Sequence, residues 1–493
     1  MRLTELMASR TEIAVSALAL ERDPPITNLT ADSRQVTPGT LFAALPGSAR
    51  DGREFIPQAI AAGAVAILAP KGTALPEGAA DKVVLIEDAN PRRRLALLAA
   101  AFFGPQPAKI AAVTGTNGKT STAQFTRQIW QQLGRKAGAM GTLGLVAPGF
   151  PQSGSLTTPD PIALHRSLAE LAKADVTHLA MEASSHGLDQ FRLDGVLVTA
   201  AGFTNLTRDH LDYHGTMEAY FKAKCMLFER VMPKGACAVV NADIPEFEAV
   251  AALARSRKQT VVGFGLNGHE LKVLDVQPLP HGQRLDVEVF GTRRTLELPL
   301  VGRFQVWNAL CALGLAVGSG EDPKAAADAL ERLEGVRGRM ELVARLKNDA
   351  AVYVDYAHTP DGLETVLKSL RPHTKGRLSV VFGCGGDRDR GKRPIMGEIA
   401  ARLADRVIVT DDNPRTEVPA SIRAEIMTAC PGATEVDDRA EAIALGVRGL
   451  ASGDVLVVAG KGHEQGQIVG AEIRPFDDAA VARAAVDDIS GRR

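Results

Sequence analysis

Aromatic residues are scarce in this chain, 4% of 493, with two tryptophans and four tyrosines. A core without aromatic bulk is filled by Ala, Val, Leu and Ile, which pack in layers of helix on sheet. Cysteine is sparse as well. Cys225, Cys237, Cys311, Cys384 and Cys430 stand far apart, with no C-x-x-C pair and no metal-ligand spacing. This excludes a disulfide scaffold and a structural zinc site, and it fits a reducing compartment. Neither sign of charge dominates: 57 basic and 58 acidic residues leave a net charge of −1. No overall attraction to nucleic acid or an anionic membrane follows. Long apolar runs are missing too. The most apolar stretch, near Ala59–Pro70, is too short for the ~20 residues of a membrane span. The first residues carry Glu5 and Glu12 and lack an apolar signal segment with a cleavage site. The expectation is a cytoplasmic protein that uses neither nucleic acid nor a membrane span.

What is present is an apolar fraction of 45%, ample for several cores. At roughly 100–200 residues per domain, the length predicts two to four domains. Two composition breaks divide it. GPQPAKI (Gly104–Ile110) carries two prolines, and EGVRGRM (Glu334–Met340) is rich in Gly and Arg. The expected domains are 1–104, 105–338 and 339–493.

The middle segment opens with a strand, KIAAV (Lys109–Val113), then a glycine loop, then a helix from about Lys119. Later β-like runs are THLAME, VTAAGFTN and CAVVN, with helical stretches between. Such alternation means a mostly parallel sheet covered by helices. The last segment repeats it: VYVDYAH, LSVVFGCGG, RVIVTDDNP and VLVVAGKGHE are short apolar strands, each ending in a polar cluster. Ligands of open parallel sheets bind outside the carboxyl ends of the strands. Asp355 with His358, Arg388, Asp412–Arg415 and Gly460–Glu464 should therefore meet on one edge. The first segment offers less. Asp32, Ser33 and Arg34, then Pro38-Gly39 and Pro46-Gly47, read most simply as a small α/β domain with ordinary turns.

In VTGTNGKTST (Val113–Thr122), backbone N–H groups of a tight turn at a helix start suit phosphate, and Lys119 adds a point charge. Thr120 can hold Mg²⁺ by its hydroxyl. The general pattern G-x-x-x-x-G-K-[ST] is broken at its first glycine, where Val113 stands. Glu182 ends a strand and can reach a metal beside Thr120; such a residue otherwise caps a helix or sits on the surface. The run Ser184-Ser185-His186 lacks the G-x-S-x-G elbow of a serine nucleophile. Asp209, His210, Asp212 and His214 crowd into six residues, a density that suits metal or phosphate. Lys222 and Lys224 follow on a helix, where a lysine ordinarily serves a solvated face. A Mg-nucleotide site with no protein nucleophile fits a substrate carboxylate that takes the phosphoryl group and then meets an amine, a reaction of positioning and charge neutralisation.

TGTNGKTST, TTPD, MEASSHGLDQ, NLTRDHLDYHGTMEAYFKAK, GRFQVWNALCA, GRME, DYAHTPD, GCGGDRDRGKRP, DNPR and GKGHE, in this order, resemble the Mur ligase family over nearly the whole chain. The family's phosphate loop is the shorter T-G-T-N-G-K-T form, which accounts for Val113. The resemblance implies a mixed α/β UDP-binding N-terminal domain, a central P-loop-type ATPase and a Rossmann-like C-terminal domain that brings an amino acid. It implies a monomer that uses ATP and two Mg²⁺ to join meso-diaminopimelate to UDP-MurNAc-L-Ala-D-Glu in peptidoglycan precursor synthesis. By the same resemblance, Gly115, Thr116, Asn117, Gly118, Lys119, Thr120 and Ser121 bind the ATP phosphates. Asn308 approaches the adenine, with Arg339 and Asp355 closing from the last domain. Thr120, Glu182, His210 and Lys224 hold metal, Lys224 as a carbamate; Lys222 is its neighbour and competitor, and the family's A-K pattern favours Lys224. Ala31, Ser33, Ser48, Ala49 and Arg50 hold the UDP end. Thr157, Thr158, Ser184, Gln190 and Arg192 hold the muramyl peptide, with Leu156 a departure where relatives carry a polar residue.

In this family DNPR accompanies meso-diaminopimelate, and members that add lysine replace the arginine. The implied amino-acid pocket is Arg388, Asp412, Asn413, Pro414, Arg415, Gly460 and Glu464. A planar guanidinium at Arg415 suits the distal carboxylate that lysine lacks, with Glu464 facing the distal ammonium. A lysine-adding member or a folylpolyglutamate synthetase-like ligase are the alternatives. His358 is a candidate for taking the amine proton.

Overall fold

The structure is a computed structural model that describes residues 1–8, 22–47, 50–150, 157–279 and 282–491. Ser48, Ala49 and Leu156 lie outside the described residues. The first layer has strands β1 (Asn28–Thr30), β2 (Thr40–Ala43), β3 (Ala64–Pro70) and β4 (Val84–Asp88), all parallel. The apolar run near Ala59–Pro70 is thus mostly an inner strand. Helix Pro91–Phe103, capped by the Asn90 side chain on Arg93 N, covers the sheet. The same helix docks the layer onto the middle of the chain: Arg93 and, from the other side, Arg230 both pair with buried Asp194, at 2.9 and 3.0 Å.

Ten strands form the middle sheet: β5 (Lys109–Thr114), β6 (Ala137–Gly141), β7 (Gly144–Val146), β8 (His178–Glu182), β9 (Val198–Phe203), β10 (Cys237–Asn241), β11 (Thr260–Gly265), β12 (Leu271–Leu279), β13 (Gly282–Val289) and β14 (Thr292–Leu298). Their order is β14-β13-β12-β11-β10-β9-β5-β8-β6-β7. The strands from β12 through β6 are parallel, with β7, β13 and β14 antiparallel at the two edges. The inner strands read as continuous apolar runs because helices cover both faces. Strand β13 shows why sequence reading passes over the edge: its residues alternate between buried and half-exposed, the mark of a ribbon with one wet face. Helix Phe304–Gly318 is apolar nearly all round and is wedged against helix Lys119–Gln132 and the sheet.

The last sheet has β15 (Glu341–Arg345), β16 (Ala351–Asp355), β17 (Leu378–Phe382), β18 (Arg406–Val409), β19 (Thr434–Glu435) and β20 (Val455–Ala459), in the order β15-β16-β20-β17-β18-β19. All but β15 are parallel. The carboxyl ends of β16, β20, β17 and β18 are therefore neighbours. A hairpin, β21 (Gly466–Val469) with β22 (Glu472–Pro475), stands beside that edge.

One buried ion pair ties this layer together. Arg439 and Asp478 are both fully buried and joined by two bonds of 2.7 Å, and Arg439 also donates to Ala459 O at 3.0 Å. Truncating one partner leaves a buried charge unpaired, at a cost of about 3–5 kcal/mol. Arg439→Met should lower the unfolding free energy of the C-terminal layer, read by urea denaturation, by that amount, while Arg448→Met, on an exposed pair, should change it little.

Candidate active site

Strand β5 runs into the phosphate loop, which turns on two glycines that no other residue could replace. Gly115 has φ +146° and Gly118 φ +87°. A Cβ on Gly115 would lie 1.9 Å from Thr204 Oγ1, and one on Gly118 would lie 2.3 Å from Asn308 Oδ1. Lys119 opens the helix and folds back, donating to Gly115 O at 3.0 Å and Thr116 O at 2.8 Å. Lys224 Nζ donates to the same Gly115 carbonyl at 2.7 Å and lies 4.2 Å over the Tyr220 ring. Two amines thus share one acceptor in a buried place. Burial pushes the Lys224 amine well below its ordinary range, and the Lys119 charge adds to this. Burial also lowers Lys119, against the pull of Glu182 and Asp209.

Helix Met217–Met226 settles which lysine faces inward. Tyr220, Ala223 and Lys224 share its buried face, whereas Lys222 is exposed. Glu182 ends β8 fully inside. Its carboxylate accepts Thr142 N at 2.8 Å and Thr142 Oγ1 at 3.1 Å, and a Cβ on Gly141 would meet it at 2.2 Å. His210 lies in the left-handed region, φ +53°, 3.4 Å from Asp209, with its ring against His186. Burial lowers the pKa of His210 and of His186, which leaves neutral imidazoles able to ligate.

Among the described residues no three His, Cys, Asp or Glu side chains converge as a metal centre. The expected set has only two such residues, Glu182 and His210. Thr120 and Glu182 supply hard oxygen donors of the kind Mg²⁺ takes. The paired amines on Gly115 O would repel a cation until one becomes an anion, and a carbamate on Lys224 meets that need.

The peptide-binding candidates form one connected group. Thr157 Oγ1 is 3.1 Å from Thr142 Oγ1, and Thr158 Oγ1 donates to Glu182 O at 3.0 Å. Ser184 Oγ donates to Thr158 Oγ1 at 3.1 Å. Arg192 donates to Thr158 O at 2.7 Å and grips Gln190 Oε1 at 2.7 Å. Tyr213, absent from the sequence reading, joins Gln190 at 3.2 Å to Asp189 at 2.8 Å. Ser185 is buried and bonded to His214 Nε2 at 3.0 Å. On the N-terminal layer, Ala31 and Ser33 follow the carboxyl end of β1, and Ser33 Oγ reaches Gln58 at 3.4 Å. Arg50 is exposed, with its guanidinium 5.7 Å from the Phe55 ring.

A cleft of about 990 Å³ separates the middle and last layers, lined by Asn117, Gly118, Ser121, Asn308, Arg339 and Asp355 among others. Arg339 Nη2 donates to Thr120 Oγ1 at 3.2 Å across it. Asp355 accepts Met340 N at 2.6 Å and Ala357 N at 2.8 Å, and burial raises its carboxyl to about 6. His358 faces the cleft with Nδ1 on Tyr356 O at 2.9 Å. Asp361 also spans the cleft, taking Asn117 Nδ2 at 2.8 Å and Thr207 Oγ1 at 3.3 Å. Sequence reading misses this contact because 244 positions separate the partners.

The strand ends of the last layer meet as their topology requires. Gly460 N donates to Asp355 O at 3.1 Å, and Asn413 Nδ2 donates to Glu464 Oε2 at 2.9 Å. Pro414 O lies 1.9 Å from where a Cβ on Gly386 would stand. Arg415 Nη1 donates to Gly386 O at 2.8 Å, and its guanidinium forms no ion pair among the described residues, although its charge helps to lower the nearby Asp387 carboxyl. Arg388, by contrast, is exposed and makes no hydrogen bond or ion pair among the described residues, so the protein alone does not draw it into the pocket.

Three family models match in sequence: the Mur ligase family catalytic domain over residues 25–103, the Mur ligase middle domain over 113–316, and the Mur ligase glutamate ligase domain over 338–462. A relative from Caulobacter vibrioides, a UDP-N-acetylmuramoyl-L-alanyl-D-glutamate–2,6-diaminopimelate ligase, is 56% identical over 95% of this chain and 96% of its own. The chain is a member of the Mur ligase family. A second Mur ligase of the same name, from Rhizobium meliloti, is 54% identical over 99% of each chain. A solved structure of a ligase of that name is 34% identical, covers 94% of this chain and 96% of its own, and superposes with a TM-score of 0.70. The three layers seen here are thus the Mur ligase architecture, with mostly parallel sheets in the middle and last layers.

Proposed function

We propose that the chain forms an amide bond at the expense of ATP, adding meso-2,6-diaminopimelate to UDP-MurNAc-L-Ala-D-Glu in cytoplasmic peptidoglycan precursor synthesis. One observation carries the choice of amine. The Arg415 guanidinium is held by the Gly386 and Asn413 carbonyls and forms no ion pair among the described residues, although the Asp387 carboxylate lies near enough to feel its charge, and Glu464 is tied to the same loop through the Asn413 side chain. That is a complementary seat for a carboxylate and an ammonium on one carbon. The relatives named as diaminopimelate ligases over nearly their full length support the same reading.

In this reading the D-Glu side-chain carboxylate attacks the γ-phosphorus of ATP, ADP leaves, and an acyl phosphate forms. The amine of diaminopimelate then attacks the acyl carbon and phosphate departs. Lys119 neutralises the phosphate oxygens, the loop N–H groups orient them, and Asn308 and Arg339 fix the nucleotide from two sides. Thr120, Glu182, His210 and carbamylated Lys224 would hold two Mg²⁺ ions, which spread the phosphate charge. Thr157, Thr158, Ser184, Gln190 and Arg192 hold the peptide carboxylate in line, and His358 is a candidate to accept the amine proton. The UDP end would rest on Ala31, Ser33 and Arg50.

Losing a charge-assisted hydrogen bond costs about 1.5–3 kcal/mol, or about 10- to 100-fold. Arg415→Ala should lower kcat/KM for meso-diaminopimelate by that factor in an ADP-release assay and leave any weak use of L-lysine unchanged. Equal use of both amines by the unaltered enzyme would turn the reading toward a lysine-adding ligase.

A further inference from the structure

Lys461 sits in the GKGHE strand end and is completely buried. A lysine buried to that degree has to be paired, and this one has three oxygen neighbours. Its Nζ donates to Asn413 Oδ1 at 2.9 Å and to Glu464 Oε2 at 2.9 Å, and it stands 3.9 Å from Asp412 Oδ1. Asn413 is fixed by the same contact. With its oxygen held by Lys461 and by Ile468 N at 2.9 Å, its amide nitrogen is turned toward Glu464 Oε2 at 2.9 Å. Both donors therefore land on one oxygen of Glu464. The other, Oε1, takes no hydrogen bond among the described residues, and the side chain keeps 32% exposure.

In their ionised forms, the buried cations Lys461 and Arg439 face the carboxylates of Asp412, Glu464 and Asp478. Asp478 is spent on Arg439. Among these five groups one negative charge is left in excess, the Arg415 guanidinium being set aside for the substrate's carboxylate, and Glu464 is the carboxylate of the three with an unbonded oxygen and the greatest solvent access, 32% against 8% for Asp412. An incoming ammonium completes the balance there. Without Lys461 the excess would double, and Glu464 Oε2 would lose one of its two donors while Asn413, which supplies the other, would lose the contact on its own oxygen.

We propose that Lys461 is a positioning residue for the amino-acid substrate: it orients Glu464 and Asn413 together and sets the pocket's charge to accept one ammonium beside the carboxylate seat at Arg415. This rests on the amino-acid assignment made above. It differs from a merely structural role in one respect. A structural lysine would lower stability and affect all three substrates alike, whereas this one acts through Glu464.

The test is steady-state ADP release by the full chain, with meso-diaminopimelate, ATP and UDP-MurNAc-L-Ala-D-Glu each varied in turn. Wild type is measured first; if it does not use meso-diaminopimelate, the assignment of the amine fails, independently of Lys461. If it does, Lys461→Met should raise KM for diaminopimelate by on the order of 30-fold or more, with KM for the other two substrates within about twofold. In a Glu464→Gln background the same change should add less than about threefold, because the partner it serves is already neutral. If Lys461→Met does not fold, Lys461→Gln, which keeps a donor without the charge, is read in the same way. An unchanged KM for diaminopimelate, an equal rise for all three substrates, or additive effects in the double variant would each overturn the proposal.

Discussion

Lys224→Ala is expected to lower kcat by on the order of 10³-fold, the scale of losing one charge-neutralising element in phosphoryl transfer. Gly115 O accepts from Lys224 at 2.7 Å and from Lys119 at 3.0 Å. Two ammonium groups so placed repel in a medium that screens poorly. Burial, with the Lys119 charge beside it, holds the Lys224 pKa well below its ordinary value, so the neutral amine is more accessible than on an ordinary lysine. A neutral amine adds CO₂: the nitrogen lone pair forms the N–C bond, a proton leaves, and a carbamate anion results. The sign with pH follows. The amine pKa is depressed in the fold, so the reactive form is present above that lowered value. As pH falls through it, the ammonium returns and the carbamate is lost. Activity should therefore decline on the acid side and in CO₂-depleted buffer, and bicarbonate should restore it. Lys222→Ala, on the exposed side of the same helix, should leave kcat within about twofold, as exposed substitutions usually do. Intact-mass measurement of the native protein checks the adduct directly, and full activity of Lys224→Ala would contradict the assignment.

Lys119→Ala carries the second large effect, again on the order of 10³-fold in kcat, with KM for diaminopimelate unchanged. Among the described residues Lys119 bonds only to carbonyls of its own loop, Gly115 and Thr116, so removing it leaves no described carboxylate bonded to a missing partner. The loop itself is held independently. Thr116 N donates to Asn205 O at 2.9 Å, Asn117 N to Asn205 Oδ1 at 2.8 Å, and Thr204 Oγ1 to Asn117 O at 2.6 Å. The thermal midpoint should accordingly move little while turnover collapses. A loss of turnover matched by a loss of folded protein would assign Lys119 to the loop's stability instead. Lys119→Arg should also fail, because a planar guanidinium does not replace a compact ammonium in a turn this tight.

The parts of the site that were legible in sequence are those fixed by local rules. A strand, a glycine turn and Lys119 at a helix start are contiguous, and they appear as β5, the loop and helix Lys119–Gln132. The four polar strand ends of the last segment meet because parallel strands present the same end to one edge. Lys224 was open to a purely physical reading as well: Tyr220, Ala223, Lys224 and Leu227 fall at helical spacing and are all buried, which places Lys224 inward and Lys222 outward. Other features depend on contacts between distant segments. Asp361 on Asn117 and Tyr213 on Gln190 have no signature in their own neighbourhoods, whereas the edge ribbon β12–β14 carries one, the alternation of LDVEV in β13, that sequence reading passes over. Lys461 escaped notice for a different reason: a lysine between two glycines reads as a turn residue, and only its complete burial shows otherwise. Arg388 shows the opposite limit, since a motif position need not be held in place by the protein alone.

The central claim is tested most directly by ADP release and product mass for the unaltered enzyme, given ATP and UDP-MurNAc-L-Ala-D-Glu with meso-diaminopimelate, with L-lysine, or with no amine. The account predicts release only with diaminopimelate, together with a product heavier by one diaminopimelyl residue. Release at the same rate without any amine would contradict it.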